Sequence, residues 1–165
     1  MGLEAKQLHD VFVEELKDLY SAESMVMDAL PKMEKAATND QLKQGFSKHH
    51  DETKKQRDRL QKIFDRLGTS PGSKTCHGME GILKEGEMIM QKDMDVHVKD
   101  AALIAAAQKV EHYEIAMYGT MATWADFMGE DEIAGMLKET LEEEKKTDKK
   151  LTEMAEKQVN KQAVR

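Results

Sequence analysis

Apolar positions along the chain recur at alternating steps of three and four. Leu16, Leu19, Glu23, Val26, Leu30 and Met33 form one such stripe, extended upstream by Leu8 and Phe12. Leu42, Phe46, His49, Thr53, Gln56, Leu60, Ile63 and Leu67 form a second, with a polar middle. Ala107, Val110, Glu114, Met117, Met121 and Trp124 form a third. This spacing marks the inward face of an α-helix. It predicts long helices over Leu3–Ala37, Gln41–Leu67, Val98–Phe127 and Asp131–Lys157, and a shorter one over Met79–Gln91. Pro31 should kink the first, because it lacks an N–H and crowds the preceding turn. Thr38-Asn39-Asp40 reads as a turn in which Asn39 or Asp40 caps the next helix. Gly68-Thr69-Ser70-Pro71-Gly72-Ser73 reads as a loop, and Gly129 as a helix stop. Gln158–Arg165 is expected to fray.

Short turns after the first and third long helices force antiparallel neighbours. The connection of about thirty residues between the hairpins can span a bundle at roughly 1.5 Å per helical residue. The expected fold is all-α, a ferritin-like four-helix bundle with an extra short helix in the crossover. One domain covers 1–165, with hairpins at 3–67 and 98–157 and the crossover at 68–97.

Leu19–Phe64 aligns without a gap onto Val110–Ala155, which makes the two hairpins copies of one pattern. Glu23 falls on Glu114 and Glu52 on Glu143, while Val26, Leu30, Leu42, Phe46 and Leu60 fall on Met117, Met121, Ile133, Leu137 and Leu151. Glu23 and Glu114 occupy places where an apolar residue belongs. A carboxylate there is costly unless it is paired, protonated or bound to a metal. Counted from the turns, the glutamates of each hairpin reach the same level, so pseudo-twofold packing brings Glu23, Glu52, Glu114 and Glu143 together. Four such carboxylates repel one another unless a cation intervenes.

A ferritin-like metal site takes a Glu from each of two helices and Glu-x-x-His from the other two. Here Lys55 and Lys146 stand where those histidines would be. His49, one turn before Glu52, is the best replacement, and Glu111, one turn before Glu114, compensates for Thr140. The expected metal set is Glu23, His49, Glu52, Glu111, Glu114 and Glu143. Glu144 competes with Glu143, since strict heptad counting puts it nearer the seam. Carboxylate and imidazole donors suit two iron ions, or manganese. The thirteen methionines are spread over every helix, as core filler rather than a copper site. His50, His97, His112 and Cys76-His77 read as surface or loop residues.

A net charge of −7 argues against nucleic acid, which needs a basic face. The longest apolar run, Ala101–Ala107, is far too short for a membrane span, and no signal peptide is read in Met1–Lys6. With a single cysteine no internal disulfide framework is possible, and a reducing cytoplasm is expected. Val11, Phe12 and Val13 in succession leave apolar surface that one bundle core cannot cover, which suggests a homodimer.

The chain resembles the YciE/YciF family of bacterial ferritin-like proteins, closest to the YciF branch. The resemblance rests on Asp18–Glu23, on His49 with Glu52-Thr53, on the long run Asp100–Ala116, and on Leu137–Lys145. It implies a ferritin-like helical fold, a cytoplasmic stress-associated role, a dimer, a di-iron-type site and a ferroxidase activity using oxygen or peroxide. The alternative is a non-enzymatic structural or interaction protein of the stress response, in which the site is stabilising or vestigial.

Overall fold

The computed structural model describes residues 7–165, and the regular elements among them are all helical. They are α1 (Leu8–Ala36), α2 (Asp40–Arg66), α3 (His77–Gln91), α4 (Val96–Phe127) and α5 (Asp131–Met154). A π-helical turn, Ala155–Val159, and a final helical turn, Asn160–Ala163, prolong α5. The expected start of the first helix at Leu3 lies outside the described residues. α1 runs unbroken through Pro31, which can give no N–H to the Met27 carbonyl.

Local chemistry sets the remaining boundaries. Asn39 caps α2 by accepting from the Leu42 N–H at 3.1 Å. Asp95 caps α4 through the N–H groups of His97 and Val98, so α4 starts two residues before the expected Val98. Cys76 caps α3, whose start at His77 likewise precedes the expected Met79. α4 ends in a Schellman motif: Gly129 takes φ +77°, its N–H meets the Asp126 carbonyl, and Glu130 N–H meets that of Ala125. The expectation of a frayed Gln158–Arg165 is corrected. Helix persists to Ala163 because Val159 is buried and the terminal turns pack on α4.

α1 pairs with α2 and α4 with α5, and the two hairpins meet through α1–α4 and α2–α5. α3, in the crossover, lies on α4 and α1. Its buried Gly86 faces Ala106 of α4. The core falls into two apolar clusters. One holds Val26, Leu30, Phe46, Leu103 and Val110; the other holds Phe12, Leu16, Leu60, Phe64, Met121 and Leu137. Between them lies a buried polar layer: Glu23, His49, Thr53, Gln56, Glu111, Glu114, Thr140 and Glu144.

Candidate metal centre

Every long helix of the bundle contributes to this layer. α1 places Glu23 in the continuous stripe Leu16, Leu19, Glu23, Val26, so the carboxylate has no route to solvent. α2 brings His49 and Gln56, α4 brings Glu111 and Glu114 one turn apart, and α5 brings Glu144. His49, Glu111, Glu114 and Glu144 each offer a ligand atom, and these atoms all lie within 4.8 Å of one another. His49 Nε2 is 3.0 Å from Glu111 Oε1. That contact lacks hydrogen-bond alignment, and both ring nitrogens of His49 are without a hydrogen-bond partner.

The same holds across the cluster. Both oxygens of Glu114, and one each of Glu23, Glu111 and Glu144, are buried and have no hydrogen-bond partner. Such atoms are rare, because stranding each costs about 1–3 kcal/mol. Two hydrogen bonds orient the rest: Tyr118 donates its hydroxyl to Glu23 Oε1, and Gln56 Nε2 donates to Glu144 Oε1.

Burial governs the titration of the cluster. It pushes Glu23 up to about 8, with the neighbouring Glu144 charge adding to the rise. It also pushes Glu111 up to about 8. Glu114 rises through burial and then Glu23, and Glu144 through burial and then Glu111. Without a cation, this layer is held largely by protons at neutral pH.

Three of the expected metal residues stand apart from the converging His49, Glu111, Glu114 and Glu144. Glu143 points along the α2–α5 surface, where Arg59 Nη1 is 3.0 Å from Oε2 and Nη2 is 3.2 Å from Oε1. Burial pushes its carboxyl up, but hydrogen bonds from Arg59 and Gln56 outweigh this and hold it below the usual range. Glu144 takes the inward place instead, on the stripe Ile133, Leu137, Thr140, Glu144, Leu151. Glu52 is at the margin, about a quarter exposed, with Oε2 4.0 Å from His49 Nδ1 and Oε1 3.7 Å from Lys48 Nζ. Glu23 is fully buried beside the cluster and raises the pKa of Glu114.

Sequence reasoning missed Tyr118 and Arg59. Tyr118 continues the buried face Ala107, Glu111, Glu114, Tyr118, Met121, Ala125, which was the signal available for it. The tyrosines nearer the glutamates in sequence point elsewhere. Tyr20 packs edge-on against Phe64, and Tyr113 Oη lies 3.0 Å from Cys76 Sγ. A pocket of about 90 Å³ reaches the cluster from the surface between α2 and α5, with His49 and Glu111 at its buried end and Lys48 and Glu52 at its outer end.

Residues 7–164 match a family described as a domain of unknown function, DUF892. The chain belongs to the DUF892 family. It is 46% identical over 159 residues to protein YciF of Escherichia coli K12, spanning 96% of each chain. The crystal structure of that organism's stress protein YciF superposes with a TM-score of 0.91 at 46% identity, covering 94% of this chain and 99% of the other. YcfI of Rhodopseudomonas palustris, described as a candidate structural protein, superposes with a TM-score of 0.89 at 41% identity, covering 92% and 97%. The resemblance to YciF read from the sequence is thereby established, as is the all-helical bundle.

In this DUF892 chain the residues fit a bound cation on their own chemistry. Unpartnered, buried carboxylate oxygens beside an imidazole suit iron, manganese or zinc. When bound, a metal supplies Lewis acidity and, if it is redox-active, electrons. The protein supplies rest: Gln56 and Tyr118 fix two of the carboxylates, and the flanking apolar clusters exclude water.

Proposed function

We propose that this chain is a bacterial stress protein whose seam binds two ferrous ions as substrate and oxidises them. The observation that carries the reading is the convergence of His49, Glu111, Glu114 and Glu144 in a buried layer with unpartnered oxygens. With Glu23, the set holds four buried carboxylates, whose full ionisation matches the charge of two divalent ions. Anionic oxygen donors in a medium of low dielectric favour the ferric over the ferrous charge. Each ferrous ion gives up one electron; dioxygen takes the two electrons and two protons and leaves as hydrogen peroxide. Glu52 serves at the margin, beside His49 Nδ1. The chain acts as a homodimer, joined over apolar surface that includes the partly exposed Val11 and Val13.

A second reading rests on the raised carboxyl pKa values: a layer that protons can hold needs no metal to fold, as expected of an interaction protein. One experiment separates the two. Protein purified without added metal is assayed for metal, then for oxygen consumption on ferrous addition. Binding of two iron ions per chain with oxygen uptake supports the first reading; absence of iron and manganese binding selects the second.

A further inference from the structure

The pocket that reaches His49 and Glu111 has walls of an unusual kind for a route into a charged layer. Gly45, Phe46, Ala107, Leu151 and Met154 form their apolar part, with Lys48, Glu52, Thr147 and Lys150 beside them. About 10–15 Å³ is enough to seat a water molecule, so the roughly 90 Å³ here admits a diatomic gas with room to move. Dioxygen needs no hydrogen-bond partner, so it can cross the apolar part of these walls without losing any.

One residue on the pocket wall has no side chain. Gly45 lies inside α2, where glycine costs about 1 kcal/mol relative to alanine. A Cβ built there would come to 4.0 Å from Met154 Cε, so a larger side chain would project into the space that Met154 borders. Met154 is also the last residue of regular α5. The π-helical turn Ala155–Val159 begins immediately after it, and such turns recur at functional sites.

We propose that this pocket is the port by which dioxygen reaches the carboxylate–histidine layer, and that Gly45 keeps it open. The inference rests on the proposed function and deepens it: dioxygen, the oxidant, enters between α2 and α5 along the apolar side of this pocket.

The test uses dioxygen itself as a paramagnetic probe of the metal-free protein. Under raised oxygen pressure, the methyl groups of the buried Ala107 and Leu151 should relax severalfold faster than those of Met121 and Leu137, which are buried away from the pocket. In Gly45→Leu, which improves helix propensity, that excess should fall to the level of the controls, with Gly45→Ala intermediate. In ferrous-loaded protein, Gly45→Leu should slow dioxygen-driven oxidation at least about fivefold, with iron loading unchanged. Uniform methyl relaxation in the wild type overturns the port, and so does an unchanged rate of dioxygen-driven oxidation in Gly45→Leu. Protein that shows the methyl pattern but binds no iron supports the gas pocket and overturns the iron-oxidising reading alone.

Discussion

Arg59 holds Glu143 out of the buried carboxylate layer. Its two terminal nitrogens grip both oxygens of Glu143 at 3.0 and 3.2 Å, and Nη2 also reaches Glu139 at 2.8 Å. The guanidinium neutralises the one glutamate of the Glu142-Glu143-Glu144 run that sits at the α2–α5 surface. Its neighbour Glu144 turns inward with no cationic partner, held by Gln56.

Adjacent glutamates should therefore behave oppositely on removal. Glu144→Ala should weaken ferrous or manganous binding at least about tenfold, and Glu143→Ala should change it little. Glu143→Ala should instead cost about 1 kcal/mol of stability, because Arg59 loses a partly buried partner. Calorimetric metal titration and urea denaturation of both variants check this, with Glu153→Ala as an exposed control. Equal loss of metal in the two variants would place Glu143 among the ligands.

Stability of the metal-free protein should fall as pH rises. Glu23 and Glu111 go from an ordinary carboxylate value of 4.5 to about 8 on folding. Between those limits the folded state binds more protons than the unfolded state, so unfolding free energy decreases with pH across that window. Glu143, whose pKa is lowered, works the other way and loses its contribution only as pH falls below the usual carboxylate range. The melting temperature in chelator should thus drop from about pH 5 to pH 8. Metal binding must expel the cluster's protons, so metal affinity should rise over the same range. A chelated protein that becomes more stable from pH 5 to 8 would contradict the buried, unpaired state of these glutamates.

Tyr118→Phe removes the donor that Glu23 accepts from at the centre of the bundle. Glu23 is then left with both oxygens unpartnered and fully buried, at a cost of about 1–3 kcal/mol. Adding Glu23→Gln should recover part of the loss above about pH 8, where Glu23 would otherwise be charged and carry the larger desolvation penalty. Urea denaturation of the single and double variants measures the coupling, and simple additivity would show that the hydroxyl acts elsewhere.

Periodicity alone made the bundle legible. The stripes of α1 and α2 fall on buried residues, and Glu23, His49 and Glu114 are buried because they sit on them. What the repeat could not convey was rotation. Aligning Glu52 with Glu143 preserves sequence spacing, but one residue turns a helix by about 100°, enough to separate a surface ion pair from a buried seam carboxylate. The apolar frame of α5, through Ile133, Leu137 and Leu151, points to Glu144 more reliably than the alignment does. Arg59 was hidden for a related reason: its partners are 80 and 84 residues away, and local pattern carries no trace of a contact between helices. The ordered C-terminus escaped notice because a single apolar residue, Val159, docks it.

Asp100 shows how a buried acid can be fully accounted for without a metal. It opens the long Asp100–Ala116 run and is as buried as Glu114, yet its oxygens are satisfied. They accept from Thr38 N at 2.8 Å, Thr38 Oγ1 at 2.6 Å and Asn39 N at 2.9 Å. The side chain thus ties the start of α4 to the turn between α1 and α2, and supplies acceptors that this turn cannot find in a helix. Asp100→Ala strands two backbone N–H groups and should cost about 2–4 kcal/mol. Asp100→Asn keeps one acceptor oxygen and should cost less. Faster amide exchange at Thr38 and Asn39, with metal content per folded chain unchanged, is the expected signature. Loss of metal in Asp100→Asn at full fold retention would show that the tie positions the centre as well as the turn.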